Sequence, residues 1–193
     1  MLKLKMATDP RWAKIAENNI GEILTDHAFC EQKAASNAIS LIVLFPELSD
    51  LVDSLSSVVM EEMDHFRQVH KRITDRGEVL GKERKDDYVN ELYQFVQRGK
   101  GRDTMLVDRL LFSAMIEARS CERFKLLHEK IKDKELSQWY YDLMVSEAGH
   151  YTLFIKLAKK YAKGIDVDKR WEEFLEYEGQ IIQKYGVKET MHG

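Results

Sequence analysis

Six side chains in this sequence have the types and spacing to hold metal. Glu62-Met-Asp-His65 and Glu147-Ala-Gly-His150 are both Glu-x-x-His strings. On a helix, a spacing of three puts carboxylate and imidazole on one face, where they can reach the same ion. Glu31 precedes Glu62 by 31 residues, and Glu117 precedes Glu147 by 30. All four glutamates interrupt apolar stripes traced by steps of three and four. The stripes run Ile20, Leu24, His27, Glu31, Ala34, Ala38, Ile42; Leu51, Leu55, Val58, Glu62, His65, Val69, Ile73; Leu106, Leu110, Ser113, Glu117, Cys121, Phe124, His128; and Leu136, Tyr140, Leu143, Glu147, His150, Phe154, Leu157. A lone carboxylate on such a stripe can take up a proton to escape the cost of burial. Four at one level repel one another, and no lysine or arginine occupies these stripe positions. Two divalent or trivalent ions would supply the missing charge. One Glu from each of two helices plus Glu-x-x-His from each of the other two is the ligand set of di-iron carboxylate bundles. Four carboxylates and two imidazoles, without a thiolate, suit iron.

The elements that must carry these ligands are long helices. With two prolines and ten glycines, the chain is poor in turn signals. Helices are expected over about 10–44, 49–76, 103–130 and 135–163, with a shorter one over about 168–185. Pro46, Gly77 and Gly164 mark ends. The first two helices and the last two long ones are joined by short connections, so each pair forms an antiparallel hairpin. Residues 77–102 form a long crossover containing a short amphipathic piece, 88–98. The expected fold class is therefore all-α: a ferritin-like four-helix bundle of two antiparallel hairpins with a long crossover, plus a C-terminal helix packed outside it. The 193 residues form one domain, with the bundle spanning about 10–163. Each hairpin turn sits near the midpoint between its two glutamates, which places those glutamates at one height.

Neighbouring candidates are weaker. Glu61 is off the Glu-x-x-His frame and is read as solvated. Glu122 shares its face with Arg119, Lys125 and Glu129, and pairs with Arg119 or Arg123 in preference to serving as a ligand. His27 is either a support for the ligands or a core histidine, the latter preferred. Asp64 is a candidate partner for the second ring nitrogen of a histidine other than His65.

Hydrophobic residues at 44% and charged residues at 33% describe a globular chain. A net charge of −3 excludes a globally basic nucleic-acid coat but not a local basic face. No apolar run is long enough to span a membrane, the N-terminus lacks a signal core, and Cys30 and Cys121 make no disulfide framework. These features point to a cytoplasmic protein. Two stretches concentrate basic charge: Arg98-Gly-Lys100-Gly-Arg102, and Lys156, Lys159, Lys160, Lys163. Helical basic residues are most often plain solvation.

Several strings go beyond the metal motif. They are Asp26-His27-Ala28-Phe29-Cys30-Glu31-Gln32-Lys33-Ala34-Ala35, Tyr88-Val89-Asn90-Glu91-Leu92, the stretch Asp108 to Phe124 around Ile116-Glu117-Ala118-Arg119, and Ser146-Glu147-Ala148-Gly149-His150-Tyr151. Together they resemble the MiaE family of bacterial tRNA 2-methylthio-isopentenyladenosine hydroxylases, over roughly residues 12–161. The resemblance implies a ferritin-like bundle with iron ligands Glu31, Glu62, His65, Glu117, Glu147 and His150. It also implies a dioxygen-dependent di-iron monooxygenase that hydroxylates the isopentenyl group of the modified adenosine at position 37 of tRNA. Dioxygen would be co-substrate, an external reductase or other donor would supply two electrons, and the anticodon loop would be the partner. Arg98, Lys100 and Arg102 are candidate tRNA contacts. The alternative is a ferritin or rubrerythrin relative that oxidises iron or reduces peroxide. Against it, the sequence has no paired Cys-x-x-Cys motifs, and a monomer or dimer rather than a cage is expected.

Overall fold

The structure is a computed structural model that describes residues 2–97 and 99–185. These residues form α1 (Arg11–Asn18), α2 (Ile20–Leu44), α3 (Ser49–Asp75), α4 (Asp87–Gln94), α5 (Arg102–Lys130), α6 (Lys134–Lys160) and α7 (Val167–Tyr185), with no strand among them. None of these helices is long and apolar enough to cross a membrane. The fold class is the all-α, ferritin-like one expected from the sequence. It comprises two helical hairpins, α2–α3 and α5–α6, a crossover carrying α4, and a C-terminal helix. The chain divides into two compact units. One holds residues 18–85, the other residues 2–17 and 86–185.

In the unit of residues 18–85, α2 packs on α3 across a turn at Phe45-Pro46-Glu47-Leu48. Leu51, Leu55, Val58, Val69 and Ile73 line the buried stripe of α3. Burying each contributes about 1.5–3 kcal/mol. α3 ends as Gly77 anticipates. Glu78 N–H donates to the Ile73 carbonyl at 3.2 Å, and Gly77 N–H to Thr74 at 2.9 Å. This paired closure requires the left-handed backbone that Gly77 adopts, with φ 76°. One expectation fails here. The single helix over 10–44 is broken at Asn19 into α1 and α2. The run Asn18-Asn19-Ile20-Gly21 contains three poor helix formers, two of which favour caps over helix interiors.

In the second unit, α5 packs on α6, while α7 packs against α4 and α5. Asp133 caps α6, its carboxylate accepting from the backbone N–H groups of Glu135 and Leu136, both at 3.0 Å. The face of α5 away from its ligand stripe is polar but buried. Arg119 is inaccessible to solvent and paired with the equally buried Glu178 of α7 at 2.6 Å. It also bonds Glu122 at 3.0 Å and the Met6 carbonyl at 2.9 Å. Tyr88 of α4 donates to Glu178 at 3.1 Å. Arg123 stacks over the Trp12 ring at 4.7 Å. Its guanidinium is pushed down to about 10, by burial first and then by the charge of Arg119. A second node, Asp108 with Arg170 at 2.7 Å, ties α5 to α7. The same pair grips the crossover: Asp108 accepts from Gln97 N–H, and Arg170 donates to the Phe95 carbonyl, both at 2.8 Å.

Candidate metal centre

Each hairpin carries one glutamate on its first helix and one Glu-x-x-His on its second. In the α2–α3 unit, Glu31, Glu62 and His65 are all buried. Each offers one donor atom, and these atoms lie within 4.8 Å of one another. His65 Nδ1 is 3.6 Å from Glu62 Oε2 and 3.7 Å from Glu31 Oε2. In the α5–α6 unit, Glu117, Glu147 and His150 are buried, and their donor atoms likewise lie within 4.8 Å of one another. His150 Nδ1 is 3.3 Å from Glu147 Oε2. The helical spacing of three brings carboxylate and imidazole together in both units, as the sequence requires.

The donor set fits iron. Each trio gives two hard carboxylates and one imidazole inside a shell of aliphatic and aromatic side chains. Buried carboxylates at this separation are stable only with compensating positive charge, which metal ions would provide. Cys121 lies one turn beyond Glu117 on α5. It is kept a thiol, its pKa pushed up to about 11 chiefly by burial and next by the negative charge of Glu147. It is therefore no thiolate competitor for the site at neutral pH.

The structure separates the close alternatives. Glu122 is not with Glu147 and His150. It accepts from Thr8 N–H at 2.8 Å and Thr8 Oγ1 at 2.5 Å, and pairs with Arg119, one of the partners the sequence suggests. Glu61 is exposed. His27 requires a correction to the preferred core reading. It is fully buried, but its Nε2 lies 2.5 Å from Glu31 Oε1, one turn along α2. It therefore holds one oxygen of Glu31 and leaves Oε2 directed at His65. Asp64, the candidate partner for a histidine ring, is engaged elsewhere: its carboxylate binds Arg67 and accepts from Gln68 Nε2 at 2.7 Å. Lys100 and Arg102 are exposed at the start of α5, and Arg98 lies outside the described residues.

Comparisons with known proteins agree with this chemistry. The sequence model of a family described as tRNA-(MS[2]IO[6]A)-hydroxylase (MiaE) matches residues 2–193. A Pseudomonas putida protein named tRNA 2-(methylsulfanyl)-N(6)-isopentenyladenosine(37) hydroxylase is 36% identical over 176 residues, covering 91% of this chain and 84% of that protein. A Salmonella typhimurium protein of the same name is 27% identical, covering 85% and 77%. Among solved structures, a Synechococcus protein described as having aldehyde deformylating oxygenase activity superposes with a TM-score of 0.91. It is 31% identical, over 98% of this chain and 95% of that one.

Proposed function

The chain belongs to the MiaE family, and on that premise we propose that it is a di-iron monooxygenase that hydroxylates the isopentenyl group of 2-methylthio-isopentenyladenosine 37 in tRNA. The observation that carries this reading is the twin set of buried Glu, Glu and His, one per hairpin. In this reading Glu31, Glu62, His65, Glu117, Glu147 and His150 together hold two iron ions. Their four carboxylates balance the charge of two ferrous ions. Bound iron would supply what no side chain can, the activation of dioxygen toward a C–H bond that acids and bases leave intact. The protein's own part is to fix the ligands, keep water out and admit one base.

Burial around the ligands provides the dry surroundings. His27 keeps Glu31 in one orientation. Hydroxylation places one atom of dioxygen in the alcohol and the other in water, which takes two electrons and two protons from outside. An external reductase is therefore part of the reaction. The substrate base is unpaired in the anticodon loop and can be presented to a buried site without melting a helix. The site needs no cage, and the enzyme works as a monomer or dimer in the cytoplasm.

The test is direct. Reduced, iron-loaded protein is given dioxygen and tRNA carrying the methylthio-isopentenyl base, and the nucleosides are then analysed by mass. The expected outcome is one added oxygen on the side chain, with about two irons bound per chain. Rapid turnover of peroxide or free ferrous iron, with the tRNA unchanged, would favour the iron-oxidising alternative instead.

A further inference from the structure

Two basic segments far apart in sequence meet at one end of the α5–α6 hairpin. Because α5 and α6 pack as a hairpin, the start of one lies beside the end of the other. Lys163 Nζ, just beyond α6, is 3.1 Å from Asp103 Oδ1 in the first turn of α5. Lys163 takes a left-handed backbone, φ 35°, which is uncommon for a residue other than glycine. This end of the hairpin thus carries Lys100, Arg102, Lys156, Lys159, Lys160 and Lys163, all exposed. The acids in the same segments and the turn that follows are Asp103, Asp166 and Asp168. Asp103 and Asp168 each engage one lysine of the group, the latter taking Lys159 at 2.7 Å. The surface therefore keeps an excess of positive charge on a chain whose net charge is −3.

Helix electrostatics account for only part of this. Lys159 and Lys160 lie in the last turn of α6, where cations are favoured. Arg102 and Lys100 lie at the beginning of α5, where the helix dipole disfavours them. The helix field does not explain cations placed there, and an anionic partner would use them. Tyr161 sits among them half-buried, with Lys160 Nζ 5.7 Å from its ring centre. A ring beside ammonium groups is a common way to seat an unpaired base next to its phosphate.

We propose that this end of the hairpin docks the phosphate backbone of the tRNA anticodon arm. The proposal rests on the tRNA-hydroxylase reading above and names its docking surface. Distance supports it. His150 and Lys160 lie ten residues apart on α6, about 15 Å along the axis. A nucleotide splayed from its backbone, with a five-carbon chain on its base, can bridge a gap of that order.

The experiment measures tRNA affinity of the full iron-loaded chain across a range of potassium chloride. The variants are Lys100→Ala/Arg102→Ala and Lys156→Ala/Lys160→Ala, with Lys125→Ala near the far end of α5 as control. Each double variant should weaken binding roughly tenfold and flatten the salt dependence by about one unit per lost phosphate contact. The control should bind as the parent does. Helicity and iron content should stay unchanged in all three. If the parent hydroxylates tRNA but the double variants keep its affinity and salt slope, this surface is wrong and the reading above stands. If the parent neither binds nor modifies tRNA, both fall. Preferential binding to anionic lipid vesicles over tRNA would also overturn the proposal.

Discussion

The 2.5 Å contact between His27 and Glu31 is the residue-scale feature that supports the proposed metal site from outside its ligand set. Both groups are buried, so water cannot replace the contact if it is lost. A hydrogen bond to a charged group of this kind is worth about 1.5–3 kcal/mol. Without it, Glu31 can rotate or pair differently with His65. Partners that orient a ligand typically matter about ten- to a hundredfold in metal affinity. His27→Ala should therefore lose iron to a chelator at concentrations that leave the parent loaded, and His27→Gln should recover part of the affinity. Parental iron retention in His27→Ala would reduce His27 to a filler of the core. The sequence placed His27 on the right face but could not assign its role. A helical stripe says which side a residue faces, not which atom its ring approaches.

Among the elements, α5 is fixed by charges that periodicity does not reveal. Arg119 and Glu178 are 59 residues apart and both fully buried. Removing Glu178 takes away the more deeply buried of the two carboxylates that pair with Arg119, and breaking a buried pair costs about 3–5 kcal/mol. Glu178→Ala should accordingly lower the thermal midpoint sharply. The double variant Arg119→Met/Glu178→Leu should recover most of the loss, because a buried pair is often worth no more than an apolar one. If the double variant is as unstable as the single, the network is more than a charge pair. The same contrast sets the limit of what was legible in the sequence. The hairpins and the crossover follow from local spacing, and the structure has these helices where expected; the Glu-x-x-His strings lie on the second helix of each hairpin, buried. Arg119, Arg123 and Glu122 read as a polar face with pairing inside it, and nothing in the local spacing showed that α4, α7 and the N-terminal segment bury it. Contacts made at that separation leave no periodic trace. The break at Asn19 was visible in the local propensities of Asn18, Asn19 and Gly21.

At the scale of the whole molecule, the path of the chain has a consequence of its own. It leaves one unit after Glu17 and returns to it at Asp86, so residues 18–85 form an insertion with two covalent tethers. The second tether runs through 78–86 without helix, and Val79 is 84% exposed. Such segments are preferred sites of limited proteolysis. Lys82 is exposed there, while ion pairs of Glu83 with Lys33 and of Arg84 with Glu22 steady the residues after it. A brief tryptic cut at Lys82 should give two bands on a denaturing gel but a single species on a native sizing column. The upstream piece keeps its N-terminus anchored through Thr8 and Met6 to Glu122 and Arg119 of the downstream piece. Separate elution of the two pieces would show that anchor to be too weak. If it holds, the enzyme is naturally divisible: two polypeptides made from separate genes would assemble into one working protein.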